Sequence, residues 1–215
     1  MTSVRSRLVA AFLPDTVEEG GGEPLTERGW RATLTGMHVI AGAVWVLAVG
    51  SELRAGEGGD RIVVLAVLAV LALAYVLAGA PAIAGGHRVR AVLYLLALVL
   101  GFGVLGFLAP GLFFLLFVAY PQVWFVVQGT RAGIGWTVLL AVSTAIGPLL
   151  RASSGGTATD VLFSTLISLL FSLALGLWVS RVLYQSAHRA ELIEQLERTR
   201  ARLATAERER GVLAE

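Results

Sequence analysis

From Ala91 to Thr130 the chain carries no charged side chain. A helix needs about twenty mostly apolar residues to cross the hydrocarbon core of a bilayer, so this run is twice the length of one crossing. The stretch "LAPG" at 108–111 divides it, because Pro and Gly favour a tight turn. Two crossing helices joined outside the hydrocarbon are the reading that leaves no turn in lipid.

Four further uncharged runs flank this pair. They lie between Arg31 and Glu52, over 62–80 (ended by "PAIAGGHRVR"), over 133–150, and from just after Asp160 to about 180. Charged residues make up 15% of the chain and hydrophobic ones 56%, whereas soluble domains run near a quarter charged. The expectation is an all-α integral membrane protein with six transmembrane helices over 31–181. Residues 1–30, with "VEEGGGEP" at 17–24, predict a flexible lead and not a secretory signal, being polar before any apolar run begins. The absence of cysteine excludes disulfides and thiolate metal sites.

Arginines assign the orientation. With the N-terminus cytoplasmic, Arg28, Arg31, Arg88, Arg90, Arg131, Arg181 and Arg189 face inward, and Arg54, Arg61 and Arg151 face outward. Both termini are then cytoplasmic, and the connections are too short to hold a folded outer domain. The spans contain no Asp, Glu or Arg at mid-depth, which argues against a pump or ion-coupled transporter.

After Arg181 the chain reads "VLYQSAHRAELIEQLERTRARLATAERER", rich in helix formers and free of Pro and Gly until Gly211. Residues 182–215 therefore predict a cytoplasmic continuation of the sixth helix. A heptad laid on it puts Val182, Leu192, Leu196, Leu203, Ala206 and Leu213 at apolar or small core positions, and Gln185, Arg189, Thr199 and Arg210 at polar ones. Such a coiled coil is weakly specified, which suits a switch better than a strut; a solvated single helix laced with salt bridges is the alternative.

The segment "LIEQLERTRARLATAERERGVLAE" resembles the signalling helix of bacterial sensor histidine kinases of the NarL/DesK class, in their multi-span actinobacterial-type members. That resemblance covers residues 185–215 and is architectural over the six spans. It implies a homodimer in the bacterial plasma membrane, in contact with lipid. In the family a phospho-accepting His-Asp motif and an ATP-binding domain follow such a helix. This sequence reaches Glu215 without either. The expectation is the input region of a kinase, without catalytic residues, metal or cofactor of its own and with no nucleic-acid partner. ATP, magnesium and the response regulator would belong to the missing half. His188 does not match the phospho-acceptor, since Arg189 follows it instead of an acid. The rival expectations are a small six-span transporter or channel subunit, and a non-catalytic scaffold whose tail binds a partner coil.

Within the spans, Ser164, Ser168, Ser172, Gly176 and Ser180 recur every fourth residue and share one ridge of the sixth helix. Together with Leu192, Leu196, Leu203, Ala206 and Leu213 they are candidates for helix packing or a dimer contact, packing within the chain being the equal alternative. In the fourth span, Tyr120, Pro121, Gln122, Trp124 and Gln128 are candidates for lining a ligand pocket, against the simpler reading of a proline kink with interfacial aromatics. His38, inside the first span, is expected to hydrogen-bond a neighbour. "GFGVLG" at 101–106 matches a dinucleotide fingerprint in spacing, but an apolar span supplies neither strand nor acidic partner. Its glycines predict close approach of another helix.

Overall fold

A computed structural model describes residues 27–55, 59–85, 87–127, 129–152 and 155–213. Every regular element among them is helical, and six helices are long and apolar enough to cross a membrane. The chain is an all-α, multi-pass membrane protein. Its helices are α1 (Glu27–Arg54), α2 (Arg61–Gly85), α3 (Arg88–Leu108), α4 (Pro110–Val127), α5 (Thr130–Arg151) and α6 (Gly155–Leu213). Arg61, Arg88 and Arg151 each stand at a helix boundary, where a guanidinium reaches water and the intervening run stays apolar.

The second helix departs from the expected boundary. It does not stop at Ala80 but runs through Pro81 to Gly85. Pro81 has no N–H, and its ring would press on the carbonyl four residues earlier in a regular helix. A π-helical turn at Tyr75–Gly79 widens the backbone just before the proline and carries the helix past it. The sixth helix likewise starts earlier than expected, at Gly155. The reversal between α3 and α4 falls at Ala109, as "LAPG" predicts. Ala109 leaves helical geometry (φ −141°, ψ 67°), and Pro110 opens a 3₁₀ segment, Pro110–Leu115, that becomes α-helix at Leu116. The helix continues through Pro121 to Val127.

Glycines set the closest crossing, between α3 and α5. A side chain on Gly106 would meet the Thr144 carbonyl, and one on Gly147 would meet the backbone of Gly106 and Phe107. Gly103 faces Ser143 Oγ at 2.6 Å from where its Cβ would stand, and that hydroxyl donates to the Val99 carbonyl at 2.6 Å. Two backbones in contact maximise dispersion where lipid offers no hydrophobic drive for association. The fingerprint glycines are thus packing residues.

One helix organises the rest. α4 touches all five of its neighbours, and 56% of its span is buried inside the protein, against 11% for α1 and for the membrane part of α6. Those two outer helices leave most of their surface uncovered by the rest of the chain. α6 then continues without interruption for 59 residues. At 1.5 Å per residue, its part beyond Arg181 extends roughly 48 Å.

Candidate functional site

Two cavities lie on opposite faces of α4. Consecutive helical residues point 100° apart, so Leu115, Val118, Ala119 and Gln122 line one cavity while Leu116, Tyr120 and Trp124 line the other.

The first cavity, of about 290 Å³, is enclosed by α1, α2, α3 and α4. Each of these helices contributes at least one polar side chain to it. His38 Nδ1 and the Tyr75 hydroxyl share a hydrogen bond of 2.5 Å, with their rings edge-on at 5.7 Å. The Tyr75 and Tyr94 rings lie 5.8 Å apart. The Tyr94 hydroxyl donates to Gln122 Oε1 at 2.5 Å, and the Gln122 side chain also lies beside the Tyr75 hydroxyl. Tyr94 and Gln122 are buried, while His38 is exposed at the rim. Trp45 completes its own requirement by donating to the Leu68 carbonyl at 3.1 Å. The π turn takes part in this arrangement: Gly79 presents a bare backbone to both the Tyr75 and Tyr94 rings, which stand 3.0 Å from a built Cβ. Any side chain there would push the two tyrosines apart. The first cavity is therefore an apolar chamber with an internally satisfied polar seam.

The second cavity, of about 120 Å³, lies between α4 and the membrane part of α6. Trp124 is its central wall. Its indole is held between Gly133 of α5, where a Cβ would stand 2.9 Å from the ring, and Gly176 of α6, where a Cβ would collide with the ring outright. Tyr120 lies beside Ser168 of α6. Three buried polar atoms among the described residues have no hydrogen-bond partner: Trp124 Nε1, Thr137 Oγ1 and Ser172 Oγ. Trp124 and Ser172 both line this cavity. An unmet buried donor costs about 1–3 kcal/mol, and both atoms are sealed within the α4–α6 contact and present almost no surface to the cavity.

The pocket candidates drawn from the fourth span do not form one group. Tyr120, Pro121 and Trp124 line the second cavity, Gln122 belongs to the first, and Gln128 lies outside the described residues. Along the sixth helix, Ser168, Ser172 and Gly176 face α4 of the same chain across that cavity. Ser164 is exposed and donates to its own helix at the Val161 carbonyl, 3.0 Å away, and Ser180 is half-buried. On the tail, Leu192 and Leu196 are exposed. Leu203, Ala206 and Leu213 belong to the same helix, and their side chains, with that of His188, lie outside the described residues.

Tyr75 and Tyr94 escape sequence reasoning, since a lone tyrosine in an apolar run carries no spacing signal. A usable one exists. His38 and Tyr94 stand roughly two turns inside charges of the same membrane end, Arg31 and Arg88, and polar groups at matched depth can meet. Among the described residues no group of three His, Asp or Glu is placed to hold a metal ion. Both cavities are lined mainly by apolar side chains. No family model, curated protein or solved structure matches the chain.

Proposed function

We propose that this chain is the signal-input and dimerisation region of a two-component sensor histidine kinase, which passes a membrane stimulus along its sixth helix to a phospho-acceptor and ATPase half. The observation that supports it is the single helix from Gly155 to Leu213. Its first half borders a cavity within the bundle, and its second half leaves the membrane without a hinge. A change in packing at Ser172 or Gly176 then reaches the tail as rotation or translation of a rigid rod. Leu192 and Leu196, exposed in the single chain, are the side chains a twin helix would cover. The tail heptad holds polar core positions, so two registers of the pair lie close in energy and a modest input selects between them.

The test is helical phase. Inserting one, two or three residues at Ala187 in the protein joined to its catalytic half turns the downstream helix by about 100° per residue. Autophosphorylation should then rise and fall with insertion length. Activity indifferent to phase would rule out transmission by a rigid helix.

A further inference from the structure

We propose that the first cavity, enclosed by α1, α2, α3 and α4, binds an uncharged, rigid, largely hydrocarbon molecule of about two rings, taken up from the bilayer. Size is the first observation. An apolar cavity of about 150 Å³ can hold benzene, and this one, at about 290 Å³, has room for a second ring. Charge is the second. No carboxylate or guanidinium lines the cavity, so an ion would give up its water for no partner charge. The third is that the polar groups of the walls are already engaged. His38 is bonded to Tyr75, Tyr94 to Gln122, and Trp45 to the Leu68 carbonyl. Recognition is left to carbon surface.

Trp45, Tyr75, Tyr94 and Phe102 make much of that surface aromatic, which favours flat rings. A rigid molecule also has little conformational freedom to lose, an advantage over the flexible acyl tails that surround the protein. Once seated, it supplies the dispersion contacts that the walls otherwise lack on one side. Access is the fourth observation. Of the lining residues only His38, Gly42 and Val76 are exposed, so the mouth lies between α1 and α2, within both spans. Entry is therefore from the bilayer. A Cβ on Gly42 would meet nothing within 4 Å, so glycine leaves this mouth clear. Binding stands on the geometry of the cavity alone. Its role as the stimulus rests on the signalling reading above, since the ligand would bear on α4, which packs against α6.

The experiment uses the full chain in lipid nanodiscs, labelled with 5-fluorotryptophan and followed by fluorine NMR, because Trp45 stands in the cavity wall. Trp45→Phe identifies its resonance among the five tryptophans. Naphthalene should shift that resonance saturably. Naphthoate, its carboxylate relative, should bind at least about tenfold more weakly at equal membrane concentration, as burial of an unpaired charge requires. Gly42→Phe has open space for its ring at the mouth and should abolish the saturable shift. Its melting temperature should not fall, since phenylalanine exceeds glycine in helix propensity, which separates a closed mouth from a damaged fold. Gly36→Phe, on the same helix and equally free of neighbours but outside the cavity, should bind naphthalene as the unmutated protein does. A shift that only grows in proportion to concentration, as partitioning into lipid gives, would overturn the proposal. So would naphthoate binding as tightly as naphthalene, or a Gly42→Phe protein that binds unchanged. The comparison of the two compounds in the unmutated protein depends on no variant. The resonance reports binding without any kinase output, and the insertion series at Ala187 reports output without any ligand. Failure of one therefore stays distinct from failure of the other.

Discussion

Tyr94 is 1% exposed, and its hydroxyl ends on the amide oxygen of a residue from another helix. Between membrane helices such a bond is worth about 0.6 kcal/mol on average and up to about 1.7 kcal/mol. Burial of both partners places this one toward the upper part of that range. Tyr94→Phe should lower stability by about 1–2 kcal/mol, because it removes the donor to a buried side-chain acceptor. Adding Gln122→Leu should cost less than the two single losses combined, and a double-mutant cycle by thermal denaturation in detergent measures the difference. Strict additivity would mean that the seam contributes no coupling. The same residue scale shows where reading along a chain fails. Tyr120, Gln122 and Trp124 are neighbours in sequence, yet Gln122 is turned to the far face of α4 from the other two. A run of letters preserves distance along the helix axis and discards azimuth, which here decides the cavity each residue serves.

At the scale of elements, the crossing of α3 and α5 depends on an absent methyl group. Gly147→Ala places a Cβ against the backbone of Gly106 and Phe107, which no rotamer can relieve. The expected cost is about 1–3 kcal/mol of overpacking. Gly36→Ala is the control, since nothing stands within 4 Å of its Cβ position. Helix propensity there should favour alanine by up to about 1 kcal/mol. Thermal melts of the two variants should move in opposite directions, and a shared direction would refute the assigned contact. Span positions were legible because hydropathy and arginine boundaries are local properties: each charge-free run falls within one helix found, save the double-length run from Ala91, which covers α3 and α4 with the break at Ala109 between them. The end of α2 was not legible. Pro81 reads as a terminator, and a π turn that accommodates it leaves no mark in composition. The glycines of 101–106 were readable as packing residues, whereas their partner, Gly147, becomes evident only once two helices are seen to cross.

For the molecule as a whole, the arginine asymmetry predicts a common cytoplasmic end for the start of α1, the end of α6 and two of the connections. The chain has no cysteine, so single introduced thiols report topology without background. Cysteine at Gly59 or Gly155 should react with an impermeant maleimide applied to intact cells. Cysteine at His87 or Gly129 should react only after permeabilisation. Labelling with the two groups exchanged would invert the assignment, and with it the side on which the tail emerges. A further consequence follows from α4 standing against every other span, with a cavity on either flank. It behaves as a partition shared by two rooms: whatever widens one side must narrow the other. The polar seam anchored at Gln122 and the indole clasped at Gly176 therefore hold opposite sides of the same beam.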